Sequence, residues 1–276
     1  MKRYIQYILL LLLTFSQLSC EDTINVDLNN EDPKLVIDAV LKWPKGTNGE
    51  NQTIKLTKTS DFYNNEVPPA SGAIVTVTNS SNVVFNFIED ANTGIYNCTN
   101  FVPVINELYT LHITYEGQTY TATDKLYATP AIQYVEQTNL PPIGGGEEIV
   151  QIKFFFQDNG SEDNFYLVGA QNPNYVTPDY GVISDEFFQG NVMFGFYAND
   201  NLKPGQNLKL YLQGVSNPYY NYMNKLIAIS GTNNGNPFAT PPATLRGNIT
   251  NQTNKDNYPL GYFSLGETDS RDYLIQ

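Results

Sequence analysis

The chain has 276 residues, with 28 acidic and 15 basic side chains and a formal net charge of -13. That balance excludes the basic surfaces on which nucleic acid and anionic headgroups are bound, so no nucleic-acid partner is expected. Its 20 Tyr, 15 Phe, 20 Gly and 16 Pro favour strands and turns over helices, and the class expected is mostly β.

Met1-Lys2-Arg3 is a short basic start, Ile8 to Leu13 is an unbroken apolar run, and Leu18-Ser19-Cys20 sets a small residue directly before a cysteine. A bilayer span needs about 20 apolar residues, so this stretch reads as an export signal. Residues 1–20 are expected to be a lipoprotein signal peptide with Cys20 as the lipidation site, and a general secretory signal with an incidental cysteine is the alternative. Residues 21–32, acidic and rich in Asn, read as a flexible tether. Lipid on Cys20 would leave Cys98 without a disulfide partner, and Cys98 shares the strand face of Tyr96, as a buried thiol would.

From Leu35 the chain alternates as half-buried strands do. Leu35, Ile37, Ala39 and Leu41 mark one face; Ile54 and Leu56, Ala73 to Val77, Val83 to Phe87, Gly94 to Tyr96 and Tyr109 to Tyr115 follow, and Glu116-Gly117 turns the chain into Thr119 to Thr123. Short strands at this density predict an immunoglobulin-like or transthyretin-like β-sandwich over residues 33–130. Pro130 to Glu148 reads as a hinge or long loop.

Residues 131–276 are expected to form a second β-rich domain with one short helix. Its strands are read at Val150 to Phe156, Phe165 to Val168, Val192 to Ala198, Leu208 to Leu212 and Leu260 to Leu265, with a turn at Lys203-Pro204-Gly205. Tyr219, Tyr222, Met223, Leu226 and Ile227 fall at helical spacing, with Asn217 as the expected N-cap, Pro218 at the first helical position and Gly231 just past the end. Asn233 to Asn257 reads as loop, and the last residues as a frayed tail.

Catalytic signatures are sparse. His112 is the single histidine, placed on the outward face of its strand, and neither a nucleophile elbow nor a phosphate-binding loop is present. Asp158, Glu162 and Asp163 supply hard oxygen ligands of the kind calcium takes, but their spacing departs from the helix-loop-helix calcium consensus, so no metal or cofactor is expected. Paired carboxylates around Asp158 or Asp185 would be required for a hydrolase, which is kept as the weakest alternative. Tyr175, Tyr180, Phe187, Phe188, Tyr219 and Tyr220 cluster in or near loops and form the expected binding surface, since amphipathic rings favour protein contacts and stacking on sugars.

The order of these features resembles a known family. Cys20 with Glu21 behind it, Pro33 to Ile37, Gly72 to Val77, Gly94-Ile95-Tyr96 and the Tyr109 to Tyr120 hairpin are similar to the first half of the Bacteroidota lipoproteins classed as domain of unknown function 4249. Phe156-Gln157-Asp158 leading to Asn164 to Leu167, Ser184 to Gly190, Asn236-Pro237-Phe238, Gly247-Asn248-Ile249 and Leu260 to Phe263 resemble its second half. The resemblance implies an outer-membrane lipoprotein, facing the cell surface, that is no enzyme and serves as accessory to a TonB-dependent receptor. It brings no catalytic residues, and only Cys20 carries over as a functional position. A stand-alone adhesin or glycan-binding module is the main alternative.

Overall fold

The computed structural model describes residues 32–60, 66–141, 148–231 and 245–276. The signal peptide, Cys20 and all of the tether except Asp32 lie outside these residues, as do Pro142, the Gly144 to Gly146 run and Asn236-Pro237-Phe238. Pro33–Gln276 forms one compact unit.

Within it the chain runs through β1 (Leu35–Pro44), β2 (Gln52–Lys58), β3 (Ile74–Asn79), β4 (Val84–Glu89), β5 (Ile95–Cys98), β6 (Leu108–Tyr115) and β7 (Gln118–Tyr127). Next come β8 (Ile132–Leu140), β9 (Ile149–Gln157), β10 (Phe165–Gln171), β11 (Asp179–Ser184), β12 (Val192–Asn199) and β13 (Asn207–Val215). The helix α1 (Asn217–Gly231), the short β14 (Thr250–Asn251) and the long β15 (Leu260–Leu274) complete the order.

The ladder β15-β1-β2-β5-β4-β3-β6-β7 closes on itself through a parallel pairing of β7 with β15 at Leu265↔Leu126 and Gly266↔Tyr127. The seven strands expected to make a two-sheet sandwich therefore form, together with β15, a closed circuit of eight. Alternation accounts for its filling: Ile37, Ile54, Leu56, Val77, Tyr96, Tyr109, Leu111 and Ile113 point inward and are fully or almost fully buried, while His112 and Thr114 between them face solvent. Cys98 lies on the buried side with Tyr96, and burial pushes its thiol pKa up. Glu116 and Gly117 both take positive φ, 48° and 74°, the two-residue hairpin geometry whose twist suits the flanking strands.

The last strand breaks the division expected at residue 130. β15 pairs with β1 in parallel from Leu260 to Thr268, then with β13 in antiparallel register from Thr268 to Leu274. Phe263 and Leu265 accordingly sit in the barrel core, whereas Ile275 sits in a second core. The tail expected to fray is a paired strand. Beyond β15 the sheet continues as β13-β10-β11. A separate three-stranded sheet, β12-β9-β8, shares the second core with it, through Ile152, Phe154 and Phe156 on one side and Leu208, Leu210 and Leu212 on the other. Strand β8 occupies the start of the stretch read as a hinge. Among its side chains only Ile132 is buried, so it carries almost no periodic signal, and a register shift interrupts it between Ile132 and Tyr134.

β15 also ties the small sheet down. Asp269 accepts the Ile132 N–H at 2.6 Å, Glu267 accepts the Thr129 N–H at 3.0 Å and binds Lys45 at 2.7 Å, and Arg271 donates to the Gln133 carbonyl at 2.6 Å. On the opposite face of the larger sheet, α1 lays Tyr219 and Met223 against Leu167, Val215 and Tyr262. Its cap sits one residue earlier than expected. The Ser216 hydroxyl accepts the Tyr219 N–H at 3.3 Å, while the Asn217 side chain accepts from Asn221 instead. Ser216 also donates to Asp124 of β7 at 3.3 Å, which fixes the helix start to the barrel.

Candidate functional site

The acidic turn after β9 holds two buried carboxylates, Asp158 and, through its contact with Asn164, Asp185. Asp158 is 5% exposed; one carboxylate oxygen accepts the Tyr166 hydroxyl at 2.7 Å and the other accepts the Gly190 N–H at 2.8 Å. Asp185, 2% exposed, accepts the Asn164 N–H at 2.8 Å, and burial raises its pKa. The same burial, with Asp158 beside it, raises that of Tyr166. These bonds clamp the turn that follows β9 to the loop between β11 and β12, where Gly160 and Gly190 approach so closely that a Cβ on Gly160 would stand 2.8 Å from the Gly190 Cα.

Both carboxylates that sequence reasoning singled out are thus engaged in holding two loops together. Glu162 and Asp163 point to solvent, and among the described residues no cluster of three or more His, Cys, Asp or Glu side chains has metal-binding geometry. What the clamp presents is a pair of rings: Phe187 is 84% exposed and Phe188 51%.

The six aromatic residues expected to share a surface do not come together. Tyr219 is buried under α1 against the rings of Tyr222 and Tyr262 and is a core residue, because helical periodicity turns it toward the sheet. Tyr220 is half-buried and packs on Phe165 with ring centroids 5.3 Å apart. Tyr180 covers Gly169, whose missing side chain leaves room for the ring. Tyr175 lies at the far end of β11 and is anchored by Asn201, which donates to its hydroxyl at 2.8 Å. Of the six, Phe187 and Phe188 belong to the clamp loop itself, and Tyr220 lines a polar cavity beside it with Asp185 and Gln189.

Other residues complete that surface. Val192, Phe194 and Phe196 on β12 are each about half exposed, and they line an apolar groove of about 380 Å³ together with Val182, Ile183 and Phe188. Phe194 continues across the outer face of the small sheet onto Phe155, which stacks on Tyr134 at 4.5 Å. The signal was present in the sequence. Along Val192 to Tyr197 both alternating sets are apolar, Met193 and Tyr197 on one side and Val192, Phe194 and Phe196 on the other, where a half-buried strand normally shows polar residues outward.

No curated protein matches the sequence. A solved two-domain fibronectin type III segment from chicken tenascin is similar over 67% of this chain and 91% of its own, at 10% identity and a TM-score of 0.22, a likeness too low to inform the fold. The match to a family is extensive: the model for domain of unknown function DUF4249 covers residues 21–272, and the chain belongs to that family.

Proposed function

We propose that this protein is a lipid-anchored lipoprotein of the outer membrane, held through Cys20, that works by binding and not by catalysis, as the accessory of a TonB-dependent transporter that captures ligand or covers the channel mouth. The observation that carries a binding role is the gathering of exposed apolar side chains along one groove, Phe188, Val192, Phe194 and Phe196. Apolar surface of this kind on one side of a molecule marks a place where something docks. The engagement of Asp158 and Asp185 in loop contacts supports presentation of that surface over acid-base chemistry. The anchor rests on the sequence around Cys20, and the transporter on the family resemblance.

The test is recovery of the tagged full-length protein from outer membranes after mild cross-linking, beside Cys20→Ala. The expected result is a co-purifying β-barrel receptor with the wild type and release of the variant into the soluble fraction. A wild-type protein recovered alone overturns the transporter role, and one that stays soluble overturns the anchor. Binding of the receptor-free protein on a glycan array would point to the adhesin alternative instead.

A further inference from the structure

We propose that the groove between β11 and β12 is a docking seam for an extended segment of a partner polypeptide, which adds a strand to the open edge of β12 and carries Lys or Arg at its ends. The inference rests on the binding role above and names the chemistry of the partner.

Both strands that flank the groove are edges, β11 of the large sheet and β12 of the small one. The ladder phase says which main-chain groups are free. The Asp158 N–H donates to the Asn191 carbonyl at 3.1 Å, and the Asp185 N–H to the Asn164 carbonyl at 3.2 Å. Bonded pairs recur at every second residue of an antiparallel ladder, so Met193, Gly195 and Tyr197 turn their main-chain groups toward β9, and Ile183 and Gly181 turn theirs toward β10. The N–H and C=O groups of Val192, Phe194 and Phe196 are left facing the open edge, as are those of Tyr180, Val182 and Ser184. The side chains of Val192, Phe194 and Phe196 line the groove. Unpaired main-chain groups beside apolar pockets are what strand addition uses: the ladder supplies affinity and the pockets select alternate side chains.

Charge chooses the partner. Asp179 and Asp200 stand exposed at one end of the seam, where the Lys203 ammonium donates to the Asp200 carbonyl at 3.5 Å, Asp163 and Glu186 stand at the other, and no Lys or Arg occurs between Lys153 and Lys203. Lys153 itself lies over the Phe194 ring at 5.0 Å. An apolar groove with acidic ends favours an apolar segment with basic ends, and it repels a second copy of this acidic chain.

The probe is a fluorescent peptide of alternating Val and Thr bracketed by paired Lys, titrated into the full-length protein, with a Glu-bracketed peptide beside it. Binding of the Lys form, about tenfold weaker binding of the Glu form, and slowed amide exchange from Val192 to Phe196 are the expected results. The Phe194 N–H takes no part in the ladder, so Phe194→Pro removes only an outward donor, and it is expected to weaken binding about tenfold beyond Phe194→Ala. Should Phe194→Pro fail to fold, a peptide N-methylated on alternate residues removes the same bonds from the other partner. Equal binding of the N-methylated peptide, protection elsewhere on the chain, competition by lauric acid, or seam protection in a peptide-free dimer each overturns the proposal. A receptor that co-purifies with a protein that binds no such peptide defeats this inference alone, and peptide binding without a receptor defeats only the transporter reading.

Discussion

Replacing Asp124 by Asn probes the joint between barrel and helix. Asp124 sits half-buried on β7, accepts the Lys125 N–H at 2.9 Å and the Ser216 hydroxyl at 3.3 Å, and burial pushes its pKa up to about 6 against these bonds. The unfolded chain titrates this group near 3.8. Because the folded-state value is the higher one, the folded state binds the proton more tightly. Its contribution to stability is therefore fully present below 3.8 and is lost as pH rises through about 6. Linkage over that interval gives about 1.4 kcal/mol of added stability on moving from pH 7.5 to pH 5, and about 3 kcal/mol at full protonation. Asp124→Asn lacks this component. Urea unfolding of both proteins at a series of pH values isolates it, because subtracting the two profiles cancels the other titrating groups. The difference is expected to fall between pH 4 and 6.5 and to be flat above. Parallel profiles across that range would refute the assignment of a raised pKa to Asp124.

Other outcomes follow from contacts already described. Gly214→Ala would drive a Cβ to within 1.9 Å of the Ala128 carbonyl oxygen where β7, β13 and β15 meet, and thermal unfolding is expected to show a loss of about 3 kcal/mol or more. Tyr219→Ala empties a buried aromatic site and is expected to cost about 3 to 5 kcal/mol, against about 0.5 kcal/mol or less for the exposed Phe187→Ala. Ser216→Ala removes the helix cap at a cost of about 1 kcal/mol by chemical denaturation, and Asn217→Ala is expected to cost clearly less.

Most strands of the barrel were legible because its walls are wet on one side. Where an inward Leu111 alternates with an outward His112, periodicity alone places the strand. Closure was not legible, since it depends on β15 meeting β7, residues far apart in sequence and joined by only two paired positions. β8 and β11 escaped notice for the opposite reason to the core strands: each is an edge with few buried side chains and no alternation to read. The helix was visible in its spacing, and its cap was misplaced by one residue because Ser216 and Asn217 are both capping types and only tertiary contact with Asp124 separates them. The groove is hidden in the sequence because Phe194 and Phe196 lie in a strand, where apolar side chains read as core, and not in a loop. Asp158 and Asp185 stood out as acids, and their burial, which decides their role, is a property of the fold.

The dual allegiance of β15 imposes an order on folding. β1 pairs with residues far along the chain, Leu260 to Thr268, and the same segment bridges to β7. Until that segment has emerged, β1 and β7 both present raw edges and the barrel interior has an unfilled position where Phe263 and Leu265 belong. Contacts of such long sequence separation slow folding and leave incomplete chains prone to stick to one another. A chain cut short before Leu260 would lose the barrel closure and the brace of the small sheet together, so the two halves stand or fall as one cooperative body.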